Sequence, residues 1–229
     1  MKLPYLTLRV MFKKTGDLQY ISHLDLVRTM HKIIVRANLP LWYTEGFNPK
    51  PKLIFAAPLS IGTESEAEFV DIRVTEPISP ETVKESLNRN LTENMQVREV
   101  YYPESKLTDL KWLSYDFLVK TEGADAALAE KCRSVLLGER VMIEKKNKKG
   151  ELVEVDVRPL IKSASVGFVD GLIKIYAVLS ADASNFLNPE HIIKVLKREV
   201  GILSSGNLLA EHYSIMRKSA YKEDMSEFR

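Results

Sequence analysis

The sequence has a single cysteine, Cys132, among its 229 residues. One thiol excludes an internal disulfide, and it excludes a zinc site or an iron–sulfur cluster held by the cysteines of one chain. The four histidines, His23, His31, His191 and His212, are not spaced as in any common metal motif. We therefore expect no metal and no cofactor in this chain.

Charge of one sign and long apolar runs are also missing. The 33 basic and 31 acidic residues leave a formal net charge of +2, so a surface for nucleic acid must come from local clustering of charge. No apolar run approaches the ~20 residues of a membrane-spanning helix. The first ten residues do not have the pattern of a secretion signal. These absences predict a cytoplasmic protein without a membrane partner.

What is present is a repeated order of secondary-structure patterns. Apolar residues alternate over Leu3–Phe12 as in a strand, and Ser22 precedes a helical pattern as an N-cap residue does. The order strand, helix, strand, strand, helix, strand occurs there and again between Trp112 and Met216. We predict an α+β chain of two tandem ferredoxin-like (β-α-β-β-α-β) halves with antiparallel sheets.

The repetition also predicts the domain organisation. The N-terminal half is expected to cover residues 1–104, and the C-terminal half residues 105–217. Residues 218–229 are mostly polar and are expected to form a flexible tail.

The segment Glu45–Lys52 is the most unusual loop of the sequence. It combines a glycine and two prolines with Phe47, Asn48, Lys50 and Lys52. Proline stiffens the backbone, so such a loop can hold its lysines against a phosphate while its aromatic ring stacks on a base. The alternative is a long connection between two strands with solvated lysines.

A second basic cluster lies at a predicted hairpin tip. Lys145, Lys146, Lys148 and Lys149 crowd one turn, where they could contact RNA phosphates. The alternative is a hairpin whose charges only keep it soluble.

His23 is the one candidate for a catalytic group. Ser22, His23 and Asp25 do not form a hydrolytic triad, because neighbours on one helical turn point in different directions. Histidine titrates near neutral pH, so His23 alone could act as a general base.

The runs Ser-His-Leu-Asp, Gly-Phe-Asn-Pro and Pro-Leu-x-x-Gly occur in that order along the sequence. Together with neighbouring runs they resemble the bacterial radical-SAM-linked family of unknown function, and the resemblance covers nearly the whole chain. It is carried by Tyr20–Leu26, Tyr43–Lys52, Ala57–Gly62, Glu68–Asp71 and Val155–Ile161.

The resemblance implies a stand-alone member of that family, with a separate radical SAM protein as its partner. The chain lacks the Cys-x3-Cys-x2-Cys run that would hold a radical SAM cluster, so it cannot cleave S-adenosylmethionine by that chemistry. No catalytic residue follows from the resemblance.

The leading hypothesis is a non-catalytic accessory protein that binds or presents RNA, such as tRNA or rRNA, to a radical SAM enzyme. One alternative is a metal-independent endoribonuclease using His23, by fold analogy with the CRISPR repeat-processing enzymes. Those enzymes have a glycine-rich loop near the C-terminus, and Gly201–Gly206 has only a weak similarity to it. The other alternative is a protein–protein adaptor without RNA contact.

Overall fold

The structure, a computed structural model, describes residues 5–146, 150–207 and 209–229. These residues group into two compact units. Unit 1 comprises residues 5–110 together with Ser226–Arg229, and unit 2 comprises the described part of Lys111–Met225. The grouping therefore changes after Leu110, later than the predicted boundary at residue 104.

Unit 1 is an antiparallel sheet with two helices. Its elements are β1 (Leu6–Lys14), α1 (His23–Arg36), β2 (Leu53–Phe55), β3 (Thr63–Val74), α2 (Pro80–Asn88) and β4 (Val97–Tyr101). β1 pairs with both β3 and β4, and β2 pairs with β3, so the strand order is β4-β1-β3-β2. The apolar faces of the strands and helices meet in one core, which includes Leu8, Val10, Phe12, Met30, Ile34, Val83 and Leu87.

Helix α1 begins where the sequence predicts. The Ser22 hydroxyl oxygen accepts a hydrogen bond from the Asp25 N–H at 3.1 Å, which satisfies one free donor of the first turn. The helix ends at Arg36, and Asn38 follows in the left-handed region with a φ of 53°. The predicted N-cap is confirmed.

The main strands of unit 2 also pair in antiparallel fashion. The elements of this unit are β5 (Trp112–Lys120), α3 (Ala126–Leu136), β6 (Met142–Lys146), β7 (Leu152–Asp156), β8 (Ile161–Val169), β9 (Leu172–Ser180), α4 (Glu190–Val200) and β10 (His212–Tyr221). The pairings give the order β10-β5-β9-β8, while β6 and β7 pair with each other as a separate hairpin. Asp170 and Gly171, both with positive φ, make a tight turn between β8 and β9.

The prediction of a mixed α+β chain with antiparallel sheets is confirmed by these pairings. Between α1 and β2, Leu41 and Tyr43 make isolated bridges, to Val74 and Pro51. None of the helices in the described ranges is long and apolar enough to cross a membrane.

The structure differs from the predicted flexible tail at 218–229. β10 continues to Tyr221, and the Phe228 side chain is 1% exposed. The Phe228 ring packs edge-on against Phe69, with ring centroids 5.2 Å apart, and it lies over the guanidinium of Arg9. The sequence of the tail is polar on average, but its one phenylalanine is buried against unit 1.

Candidate functional site

The loop at residues 44–50 is closed at its base by two hydrogen bonds between Thr44 and Lys50. The Thr44 N–H donates to the Lys50 carbonyl oxygen at 2.9 Å, and the Lys50 N–H donates to the Thr44 hydroxyl oxygen at 3.1 Å. Gly46 has a φ of 124°, a backbone conformation that residues other than glycine rarely adopt. Phe47 stands near the tip with its side chain fully exposed, at 112% of its reference area. The loop thus presents an aromatic ring to solvent.

Helix α1 has an unusual outer face. Leu26, Met30, Ile33 and Ile34 are buried in the unit 1 core. On the outer face, Leu24 is 56% and Val35 is 50% exposed. Arg28, Lys32 and Arg36 follow one another at four-residue intervals, which aligns them along one side of a helix.

A groove of about 680 Å³ lies between the outer face of α1 and the end of the loop. We call it the α1 groove. It is lined by Leu24, Val27, Arg28, His31, Lys32, Val35, Arg36, Lys50 and Pro51. Cationic groups and apolar side chains therefore share one surface, and the loop contributes Lys50 to it.

The α1 groove carries an excess of positive charge. Arg28 pairs with Asp25 at 3.3 Å, but both side chains are more than half exposed, and such pairs contribute little. In residues 5–146, 150–207 and 209–229, no ion pair involves Lys32, Arg36 or Lys50. These three cations are available to an anionic ligand.

The positive charge of the α1 groove also affects the pKa of His31, which lines the groove. Partial burial lowers the pKa of His31 below its usual value, and the positive charge of Lys50 lowers it further. Both causes disfavour the imidazolium. The effect of Lys50 also indicates that the loop and α1 are electrostatically coupled, although 18 residues separate these two positions in the sequence.

His23 lies outside this groove. It is exposed at the first position of α1, and its ring packs edge-on against Phe55 with centroids 5.3 Å apart. The Ser22 hydroxyl donates to the Asp25 carboxylate at 2.7 Å, which lowers the pKa of Asp25. Ser22 and Asp25 thus serve the helix cap, and this local hydrogen bonding offers no support for a triad.

The other predicted RNA-binding residues lie apart from the groove or outside the description. Asn48 and Lys52 are exposed in the loop segment but do not line the groove. Lys145 is exposed on β6, close enough to His191 for its charge to contribute to a lowered pKa of that histidine, after burial and Lys194. Lys146 is the last residue of β6, and Lys148 and Lys149 lie outside the described residues.

The groove residues on α1 were missed by the sequence interpretation. The four-residue spacing of Arg28, Lys32 and Arg36 was visible, and so were the apolar Leu24 and Val35 on the polar side of the helix. These residues lie on the side of the helix opposite to the apolar face that predicted the helix. Only the fold adds that this side of α1 lies beside Lys50.

A second cavity, of about 450 Å³, lies in unit 2 between α4 and the start of β10. The Tyr213 hydroxyl donates to the Glu190 carboxylate at 2.9 Å, and burial together with that carboxylate raises the pKa of Tyr213 to about 12. Glu211 accepts hydrogen bonds from the Thr121 hydroxyl at 2.6 Å and the Ser205 N–H at 2.7 Å. These bonds lower the pKa of Glu211 to about 2. Both carboxylates are thus engaged within the protein.

Possible metal ligands and the one thiol are the remaining chemical groups of the described part of the chain. No group of three or more histidine, cysteine, aspartate or glutamate side chains is placed there to hold a metal ion. Cys132 is buried, and burial raises the pKa of its thiol to about 11. A thiol of that kind is mostly protonated at neutral pH and is a poor nucleophile.

Residues 7–189 match the model of a protein family described as "Uncharacterized protein conserved in bacteria (DUF2344)". No curated protein matches the chain.

Among solved structures, a chain of the crystal structure of a Cbf5-Nop10-Gar1 complex matches 95% of this chain with a TM-score of 0.51 and 13% identity. A chain of the archaeal box H/ACA sRNP Nop10-Cbf5 complex matches 92% of it with a TM-score of 0.45 and 10% identity. The present chain spans about half the length of each, 50% and 46%. At this identity the first match shows a shared fold and no more.

Proposed function

Because the chain belongs to the uncharacterized bacterial family whose model matches residues 7–189, we propose its function from the site rather than from a relative: it is a non-catalytic accessory protein that binds RNA. The α1 groove, together with the loop that carries Phe47, is the binding surface. Bound RNA, such as tRNA or rRNA, is presented to a partner enzyme in the cytoplasm.

The observation that carries this proposal is the set of uncompensated cations beside an exposed aromatic ring. Lys32, Arg36 and Lys50 line one groove and make no ion pair within the described ranges. Phosphates are the anions that such a row of cations binds, with release of counterions. Phe47 adds a surface on which a base can stack.

The partner we propose is a separate radical SAM protein. Support comes from the sequence runs that resemble the radical-SAM-linked family, above all Tyr20–Leu26 and Tyr43–Lys52. The 229 residues contain one cysteine, Cys132, so they cannot hold by themselves the cluster needed for radical chemistry.

We also infer that each unit is a ferredoxin-like β-α-β-β-α-β domain. The strand orders β4-β1-β3-β2 and β10-β5-β9-β8 follow the same scheme and support this inference, with the β6–β7 hairpin as an insertion in unit 2. The lysines of the second basic cluster of the sequence, Lys145, Lys146, Lys148 and Lys149, are proposed as a further phosphate contact.

The test is a variant with Lys32, Arg36 and Lys50 all replaced by alanine. We expect its RNA affinity to fall about 10- to 100-fold at ~0.1 M salt, because each exposed charged contact is worth about 0.5–1 kcal/mol. The slope of log affinity against log salt should flatten by about 2, because three phosphate contacts are lost. Filter binding or fluorescence anisotropy over a salt series measures both quantities.

The matched control removes the same charge elsewhere. Arg98, Lys120 and Lys131 are exposed and lie outside the groove, so their triple alanine variant should keep nearly all of the affinity. Equal losses in the two variants would mean that binding follows net charge alone, and the groove would then have no special role.

The pH dependence of binding provides a second test. We expect RNA affinity to rise by up to about tenfold as the pH falls from about 7.5 to about 5.5. In the free protein, burial and Lys50 lower the pKa of His31, whereas a bound phosphate favours the imidazolium and raises that pKa. The complex therefore binds more protons than the free protein. The affinity increases as the pH falls from the pKa of His31 in the complex to its lower pKa in the free protein.

His31→Gln is the control for this dependence, because it keeps a polar side chain of similar size and cannot become charged. Its affinity should be nearly independent of pH over the same range. A variant whose pH profile matches the natural protein would assign the titration to another group and separate His31 from the bound phosphate.

A protein–protein adaptor is the second candidate, and one observation favours it. Leu24 and Val35 are about half exposed on the outer face of α1, where an amphipathic helix with acidic side chains could also bind. The adaptor predicts that purified protein co-purifies with a protein partner and carries no nucleic acid. The endoribonuclease alternative has only the exposed His23 in its favour.

A further inference from the structure

Phe47 is the most exposed large hydrophobic side chain in the described part of the chain, at 112% of its reference area. It is not on a loosely connected segment, because the Thr44 and Lys50 backbones are joined at the base of its loop. A ring held in water by an ordered loop loses little conformational freedom on binding. Such a ring is suited to contact a flat apolar surface of a ligand.

We propose that the α1 groove is a site for single-stranded RNA, in which the sugar-phosphate backbone follows α1 and an unpaired base stacks on Phe47. This inference rests on the RNA-binding function proposed above and specifies its substrate class. It adds that paired RNA is a poor ligand, which a purely electrostatic surface would not predict.

The first argument is the apolar part of the groove lining. Leu24, Val27 and Val35 line the groove together with the cations. A duplex presents phosphates and ribose at its surface and keeps the faces of its bases stacked inside, so it offers little that these side chains can bury. A single strand exposes base faces and can satisfy both the apolar and the cationic groups.

The second argument is the linear arrangement of the cations. Arg28, Lys32 and Arg36 lie on one side of α1 and are separated by about 6 Å along the helix axis at each step. Lys50 lines the same groove from the loop side. Such a row can follow one backbone, whereas a duplex offers two strands across a broad and rigid surface.

The third argument is the position of Phe47 relative to that row. Phe47 precedes Lys50 by three residues, so their Cα atoms are at most about 11 Å apart. A strand whose phosphate is bound by Lys50 therefore has its neighbouring bases within reach of the ring. Aromatic stacking in single-strand sites accepts any base, because every base has a π face.

The experiment compares one RNA in two states. A labelled oligomer of about 12 nucleotides without secondary structure, within the usual site sizes of single-strand binders, is titrated with the protein alone and after annealing to its complement. We expect the single strand to bind at least tenfold more tightly than the duplex. Phe47→Ala should weaken single-strand binding about 5- to 150-fold and leave duplex binding and the salt slope nearly unchanged.

Phe47→Trp is the matched variant, because it retains an aromatic ring at an exposed position where no folding defect is expected. It should bind the single strand as well as the natural protein does. Loss of affinity in both Phe47 variants would mean that the phenylalanine has a role other than stacking and would overturn the proposal.

The remaining outcomes separate this inference from the function on which it rests. Equal affinity for single strand and duplex, with a neutral Phe47→Ala, overturns the single-strand inference and leaves RNA binding intact. Absence of binding to either RNA overturns both. A last outcome concerns a synthetic amphipathic helix rich in Leu and Glu. If this peptide displaces the RNA and binds with a dissociation constant a hundredfold lower than that of the RNA (about 2.7 kcal/mol tighter), the groove is a site for a protein ligand instead.

Discussion

Asp71→Ala is expected to lower the free energy of unfolding of unit 1 by about 3–5 kcal/mol, the cost of leaving a buried charge without its partner. The charge is that of Arg9, whose side chain is fully buried on β1. Its guanidinium donates to the two carboxylate oxygens of Asp71 at 2.8 and 3.0 Å. The Asp71 side chain accepts both bonds from the neighbouring strand β3, so Arg9 and Asp71 form a bidentate pair.

The remaining contacts of Arg9 do not compensate for the loss. Its guanidinium also donates to the Ser105 carbonyl oxygen at 3.0 Å and lies 4.5 Å from the centroid of the Phe228 ring. Neither group carries a negative charge. Without Asp71 the protein must either leave the cation unpaired or admit water beneath Phe228.

The measurement needs a probe that reports unit 1 by itself. The chain has two tryptophans, Trp42 in unit 1 and Trp112 in unit 2, so a Trp112→Phe background leaves the fluorescence of Trp42 as that probe during urea unfolding. The control is the double variant Arg9→Met with Asp71→Leu, which removes both charges and should recover most of the lost stability. A loss under about 1 kcal/mol in Asp71→Ala would indicate that solvent reaches Arg9 easily.

The second large effect is expected for Phe228→Ala, at about 3–5 kcal/mol of unfolding free energy. Phe228 is 1% exposed, packs at 90° against Phe69, and covers the Arg9 guanidinium. Truncation removes the buried ring, its edge-to-face contact and its interaction with the cation. The same Trp42 fluorescence in urea reports the change.

Two further variants locate the effect in the ring itself. Phe228→Leu keeps most of the buried volume and should cost less than about 1.5 kcal/mol. Arg229→Ala removes an exposed pair with Glu99 and should cost less than about 1 kcal/mol. Similar losses for Phe228→Ala and Arg229→Ala would mean that the C-terminal residues stabilise unit 1 by contacts other than the phenylalanine ring. One such contact is the hydrogen bond that the Ser105 hydroxyl donates to the Arg229 carbonyl oxygen.

Neither of these stability sites lines the α1 groove. The folded fraction of the Asp71 and Phe228 variants should therefore bind RNA with the affinity of the natural protein. Loss of affinity through unfolding can thus be told apart from loss of a binding contact. Lys32, Arg36 and Lys50 are exposed, so their replacement should leave the unfolding transition unchanged.

Patterns of neighbouring residues predicted the elements that are stabilised by interactions between residues close in sequence. The cap at Ser22 and the three- and four-residue apolar spacing of α1 predicted that helix, because its hydrogen bonds join residues close in sequence. The turn at Asp170-Gly171 is also local, because positive φ suits those residues at a tight hairpin. The exposed loop around Phe47 followed from its prolines and glycine.

Only the tertiary structure decided which of these pieces meet. Lys50 lies beside His31 and the cationic side of α1 because packing brings the loop against the helix, and no spacing in the sequence encodes that contact. The same holds for Phe228: in a polar tail it looked solvated, yet Phe69 and Arg9, more than 150 residues earlier in the sequence, bury it. Patterns read from neighbouring residues report hydrogen bonds and periodicity, whereas burial and charge at a site depend on partners that only the folded chain brings together.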